Sequence, residues 1–234
     1  MTTPPRFSKY HSAARRRAPR RPDEPCTARD NTRVKLFVVV VAVFSVVVSS
    51  AIGAAPDAKR MVLGLADLPA GFTVGKGQYV DNTAAAKETK SQSESKTLAD
   101  FGRWGRITGY ERTFEREGLV GVLQLESNAS IYKTTQGARD STRSSFAAAT
   151  KPTPEGWLFK RVSSGGPMGE EARVYAVNVK KEGVDLTVVA VIWRYQTVKA
   201  AIFAGGLRGT VDVAEVVRLA RKQQARIESA LRKR

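Results

Sequence analysis

Histidine and cysteine supply most nucleophilic and metal-ligating chemistry in proteins, and this 234-residue chain has one of each. His11 and Cys26 both lie in the first 33 residues, ahead of an uncharged apolar run that starts at Leu36. A Ser-His-Asp triad, a Cys-His pair and a His/Cys zinc site are therefore excluded from everything beyond that run. No disulfide can form there, and no lipid-bearing cysteine can follow the run. Carboxylate-only chemistry and Ser-Lys schemes are what survive.

Three stretches carry residue types suited to such chemistry or to ligand binding. TVGKGQ (residues 73–78) is glycine-bearing but lacks both the upstream glycine and the Ser/Thr after lysine that a phosphate loop requires, so it reads as a turn. Glu170 and Glu171 are adjacent carboxylates, yet neighbours on a strand point to opposite faces and cannot share one reacting atom. FGRWGR (residues 101–106) could stack arginine and tryptophan on a sugar or nucleobase, against the plainer reading of a buried Trp at a sheet edge. Trp157 and Trp193 read as core. No residue is assigned as catalytic, cofactor-binding or metal-ligating, no cofactor is implied, and the ligand-binding residues stay unassigned.

Stepping from chemistry to compartment, residues 36–52 contain no charge, and twelve of the seventeen are Val, Leu, Phe or Ile. On an insertion scale those twelve favour the bilayer by about 4–7 kcal/mol. Counted from Val34, the segment as a helix spans about 28 Å, close to a hydrocarbon core. Valine-rich sequence prefers strand in water, but in lipid only a helix satisfies its own backbone. The first 33 residues carry Arg6, Lys9, Arg15, Arg16, Arg17, Arg20, Arg21, Arg29 and Arg33 against Asp23, Glu24 and Asp30. The positive-inside rule keeps that tail in the cytoplasm and exports the rest. The expected organisation is a disordered basic tail over 1–33, a transmembrane anchor or signal segment over 34–55, and an exported domain over 56–234. If the segment is instead cleaved, SSA before Ile52 is the site, after Ala51, and the product is secreted.

The exported part reads as α+β. A short helix is expected over 59–65, then a turn at DLPAGF (67–72) into an extended segment. Residues 81–100 are polar and read as a mobile loop with a turn of helix near 97–101. Strands follow at 106–117, with Ile107, Tyr110 and Phe114 among charges, and at 119–132. The latter sets Leu119, Leu123, Leu125, Ala129 and Ile131 on one face and Gln124, Glu126 and Asn128 on the other. REG between them reads as a hairpin turn. Ala138, Thr142, Ser145, Phe146 and Ala149 mark an amphipathic helix. PEGW opens a second half with a short strand, a three-strand meander turning at EG and QT, and a final helix. That helix starts at an Asp212/Glu215 capping box and has a stripe of Val213, Val216, Val217, Ala220, Ile227 and Leu231. Val188 to Ile192 is apolar enough for an interior strand. The order is αββα–ββββα, an antiparallel sheet with helices packed on it. PAGF and PEGW hint at a duplicated unit.

On LADLPAGF, GYERTF, MGEEARVYAV, VIWRYQTVKAAI and ARKQQARI, the chain resembles exported domains of bacterial lipoproteins and kinase-linked extracytoplasmic sensors, α+β sandwiches of the kinase-sensor or PsbP-like type. The resemblance covers about residues 61–230 and implies a sensor-like fold with no shared catalytic motif, so no residue inherits a catalytic role.

Ten of the 39 Lys and Arg and three of the 22 Asp and Glu lie at or before Lys35, so 29 basic residues face 19 acidic ones beyond it. That excess is spread along the chain, which argues for anionic envelope lipids, wall polymers or another envelope protein as partners and against sequence-specific nucleic-acid reading. The oligomeric state is not encoded in any motif. The sequence thus points to a non-enzymatic binding or sensing module on the outer face of a bacterial membrane. A secreted envelope carrier of an apolar or anionic ligand, and a carboxylate or Ser-Lys hydrolase, are the alternatives. Any concave site would lie between sheet and helix or under the 81–100 segment.

Overall fold

The computed structural model describes residues 56–89, 92–118, 120–153 and 156–232. Residues 1–55 lie outside the described residues, and with them the basic tail, the expected span over 34–55 and the cleavage position at Ala51. Among the described residues no helix is long and apolar enough to cross a membrane.

The chain is mixed α+β, built on a seven-stranded, wholly antiparallel sheet. Strands β1 (Phe72–Val80), β2 (Arg106–Arg116), β3 (Gln124–Tyr132), β4 (Lys160–Val162), β5 (Glu171–Lys181), β6 (Val184–Tyr195) and β7 (Val198–Leu207) run in the order β1-β2-β3-β7-β6-β5-β4. Helices α1 (Asn82–Glu88), α2 (Glu94–Trp104) and α3 (Thr135–Ala149) pack on one face, and α4 (Val213–Arg232) on the other. PAGF runs into β1 at Phe72 and PEGW comes before β4, the two edge strands from which each half builds inward.

The meander is as expected. Glu182 and Gly183 both sit at positive φ, which matches the twist of a tight hairpin between β5 and β6. β6, with Val189, Ala190, Val191, Ile192 and Trp193 all buried, is interior. α4 packs Val216, Val217, Leu219, Ala220 and Ile227 onto it, each large side chain contributing about 1.5–3 kcal/mol. Asp212 accepts from the Ala214 N–H at the start of that helix.

Several expectations are corrected. The helix over 59–65 is two 3-10 turns, Ala58–Met61 and Leu65–Asp67, because Met61, Val62 and Leu63 are fully buried between sheet and α4 and no single helical face could bury three in a row. Within the segment over 81–100 expected as a mobile loop, Asn82–Glu88 and Glu94–Trp104 are helical, α1 and α2. Asp81 and Ser93 cap their N-termini, and Thr97, Phe101 and Trp104 bury one face. The extended segment after DLPAGF is a full edge strand, β1. Turn REG is instead a longer connection over 117–123, closed where the Arg116 N–H donates to the Leu123 carbonyl. The strand expected from 119 starts at Gln124, and Ile107 faces outward while Tyr110 and Phe114 are buried.

What pins α4 is polar as well as apolar. Gln223 is fully buried, accepts from the Ser127 hydroxyl at 2.8 Å and donates to the Asn128 carbonyl at 2.9 Å. Ser127 in turn accepts from the Leu63 N–H at 3.0 Å, so three segments meet at one hydroxyl. Gln224 accepts from the Trp193 indole N–H at 2.7 Å. Neither glutamine belongs to the apolar stripe read from sequence. Gln223→Ala leaves a void and two unsatisfied groups, and should cost about 2–4 kcal/mol, read as a lower urea midpoint at unchanged slope. Exposed Arg218→Ala on the same helix should stay within about 0.5 kcal/mol of wild type.

Candidate functional site

The two faces of the sheet differ in kind. Leu125, Ser127, Ala129 and Ile131 of β3 point to the α4 side, so the two-residue period sends Glu126, Asn128, Ser130 and Tyr132 to the other. Neighbouring strands continue that surface: Asn128 lies opposite Glu111 of β2 and Ala201 of β7, Ser130 opposite Lys199, and Glu126 opposite Phe203. Helices α1, α2 and α3 do not close over it completely. A cleft of about 320 Å³ remains, lined from the sheet, from Ala85 and Glu88 of α1 and Thr89 just after it, from Phe101 of α2 and from Ser145 of α3.

The helices that frame the cleft are held by close approach. α2 ends at Gly105, whose φ of +66° suits a left-handed cap. Gly137, near the start of α3, lies so tightly against the Trp104 carbonyl that any Cβ there would overlap it. Phe101, Trp104, Tyr132 and Ala138 form the small cluster beneath.

Two cations line the inner end. Arg106, only 6% exposed, donates to Asn82 at 2.7 Å, to the Val80 carbonyl at 3.0 Å and to Ser130 at 3.4 Å, with its guanidinium 5.1 Å from the Phe101 ring centre. Lys199 donates to the Ser145 hydroxyl at 2.6 Å. Neither meets a carboxylate within 4 Å among the described residues. Burial first, and the Arg106 charge second, lower the Lys199 pKa to about 8. The Tyr132 hydroxyl, 2.6 Å from that of Ser141, is pushed up by burial.

Three carboxylates line the other end. Glu111, 7% exposed, accepts from Gln78 at 2.6 Å, and Glu126 accepts from Asn128 at 2.9 Å. Glu88 leans in from α1, and one of its carboxylate oxygens is buried with no hydrogen-bond partner. Burial, then the charges of Glu111 and Glu126, raise its pKa to about 7, with Lys76 and Arg106 opposing more weakly. Burial likewise raises Glu126. The cleft therefore carries charge of both signs without pairing one to the other, an arrangement suited to holding a charged molecule.

Most of the residues singled out from sequence lie elsewhere. TVGKGQ is not a turn but the middle of β1, where a bulge shifts the register between Val74 and Gly77 and the Lys76 N–H donates to the Thr113 hydroxyl. Glu170 is taken by Arg194 and by the Gln196 N–H, and Glu171 by Arg143, so the pair is split between separate partners. In FGRWGR, Trp104 is buried at the end of α2 and Arg103 is bound to Asp100 at 2.8 Å. Only Phe101 and Arg106 of that motif reach the cleft. Trp193 is core as expected, whereas Trp157 is only partly buried on the β4 side and is not part of the core. Sequence reasoning missed Glu88, Glu111, Glu126 and Lys199. The one signal was alternation in β3, with Glu126 and Asn128 regular enough to share a face.

With this geometry in hand, comparison with known proteins is informative about fold alone. No family model matches the chain, and no curated protein matches it in sequence. Among solved structures, it is similar to the extracellular domain of PknH from Mycobacterium tuberculosis, over 78% of this chain and all of that domain, at a TM-score of 0.51 and 12% identity. The likeness agrees with the α+β, kinase-sensor type of fold read from the sequence.

The shifted groups give the domain a signature against pH. Between about 4.5 and 7 the folded chain keeps a proton on Glu88 that the unfolded chain releases, so stability present in acid is lost as pH rises through that window. Between about 8 and 10.5 the unfolded chain holds the extra proton, on Lys199, and stability rises with pH. Urea titrations at stepped pH should show the first slope reduced in Glu88→Gln and the second in Lys199→Met. Wild-type slopes in either variant would mean these groups titrate normally.

Proposed function

We propose that the chain is an extracytoplasmic, sensor-like binding module of a bacterial envelope, and that it acts by binding rather than turnover. Residues 34–55 hold it to the membrane. The observation that carries the reading is the cleft between sheet and helices α1–α3, open to solvent and lined by three carboxylate and two basic side chains that form no ion pair with one another. A fold shared with a domain that is extracellular in its own protein supports the placement. The arginine-rich flank and uncharged run support the orientation.

A hydrolase reading has one specific contact in its favour, the 2.6 Å approach of the Lys199 ammonium to the Ser145 hydroxyl. Against it, Ser145 lies inside α3, where its own N–H is committed to the helix and leaves no backbone donor beside the hydroxyl for an oxyanion. Binding is the better use of this arrangement.

Two measurements test the proposal. Protease added to intact cells should digest the part beyond residue 55, and fractionation should leave it with the membrane. An intact domain dissolved in the cytosol overturns the placement. A small-molecule extract of the envelope should raise the melting temperature of the full-length chain but not of Ala201→Phe, which fills the cleft, with Ser130→Tyr in reserve should that variant fail to fold. Equal shifts in wild type and filled variant, or no shift in wild type, overturn the cleft as the binding site.

A further inference from the structure

The charges of the cleft are sorted along the strands. Lys199 sits opposite Ser130, and the Arg106 guanidinium donates to the same Ser130 hydroxyl, so both cations mark one level of the sheet. Glu111 sits opposite Asn128, two residues further along β3, and Glu126 lies two residues beyond that. At about 3.4 Å per residue these carboxylates stand roughly 7 and 14 Å from the cationic level along the strand direction. Glu88 overhangs the acidic end from α1, with one oxygen unpartnered. On the row of Glu111 and Asn128 the floor is apolar on its other side, with Ala201 and Ile192, and Phe203 stands 37% exposed opposite Glu126.

Opposite charges facing each other on paired strands would have neutralised each other, whereas Lys199 faces Ser130, Glu111 faces Asn128, and β3 lies between their strands. Here the sheet register keeps them apart, and each end retains an unmet demand. A simple anion on Lys199 would leave the carboxylate end unmet, and a simple cation beside Glu88 would leave the cationic end unmet while sitting in the field of Lys76 and Arg106. A molecule with both charges, separated by a short apolar spacer, meets neither penalty.

We infer that the cleft takes a zwitterion whose carboxylate lies on Lys199 and Arg106 and whose ammonium lies among Glu88, Glu111 and Glu126, the charges being several bonds apart as in a short peptide or an ω-amino acid. This deepens the proposed function and rests on the cleft being its ligand site. The buried Arg106, which meets no carboxylate within 4 Å among the described residues, supplies the fixed part of the anion seat, and Lys199 supplies the adjustable part. The ammonium takes the place of the proton that Glu88 holds near neutral pH, so binding releases protons.

The test is isothermal titration calorimetry of the full-length chain with four probes: trialanine, ε-aminocaproate, hexanoate and hexylammonium. Trialanine or ε-aminocaproate should bind at least about tenfold tighter than either single-charge probe. Lys199→Met and Glu126→Gln should each lose about tenfold of that affinity without lowering the urea midpoint. Repeating the titration in buffers of different ionisation enthalpy should show proton release that Glu88→Gln reduces. Hexanoate or hexylammonium binding as tightly as the zwitterions overturns the inference while leaving a ligand site in place. No saturable heat from any probe, with the envelope extract still stabilising wild type over Ala201→Phe, also overturns the zwitterion alone. If neither probes nor extract act, the inference and the proposed function fall together.

Discussion

A strand can sort its side chains only onto two faces, and β3 uses both for opposite purposes. Once Leu125, Ala129 and Ile131 are sealed under α4, Glu126, Asn128 and Ser130 have no freedom to join them. A one-residue slip would bury the polar set against Val216, Val217 and Ile227. The register is fixed independently by Ser127, which sits among the apolar residues yet receives the Leu63 N–H and donates to Gln223. That hydroxyl ties together the entry segment, the middle of the sheet and the last helix. Everything on the far side, the cleft included, inherits its position from that bond set.

The far face is then an electrostatic compromise. Among the described residues Arg106 is buried against neutral hydrogen-bond acceptors and an aromatic ring, with the charges of Asp81 and Glu88 acting from further off, and Lys199 donates to the Ser145 hydroxyl. Desolvation penalises both charges, as it penalises the carboxylates of Glu88 and Glu126. A core built for stability alone would have paired or omitted these groups. Elsewhere the molecule does pair them: Asp100 gathers Lys96 and Arg103, and Asp67 joins Arg226 to the turn that precedes β1. The contrast within one chain marks the cleft as the place where stability is given up.

The helices over the cleft show why local composition can mislead. Residues 81–100 have few large apolar side chains, which suggests a loop. Asn82–Glu88 and Glu94–Trp104 nevertheless form α1 and α2, since Asp81 and Ser93 satisfy free N–H groups of the first turns, and Phe101 and Trp104, just past that window, anchor them with Ala86 on Tyr132 and Ala138. Two aromatic side chains, decisive in a tertiary setting, barely alter a window average.

What the sequence settled by itself was whatever depends on composition or on short-range period. One histidine and one cysteine, both before the apolar run, decide which chemistries the domain cannot use. The meander, the interior strand through Val189 and Val191, and the C-terminal helix were legible because two- and 3.6-residue periods are local properties. The tertiary structure alone decided the site. Glu88, Arg106, Glu126 and Lys199 are distant in sequence and meet because β3 pairs with both β2 and β7 and α1 leans over them. Alternation tells which side chains share a face, but whether that face meets water or a covering helix depends on chain that packs there from elsewhere, and that is long-range information no local pattern carries.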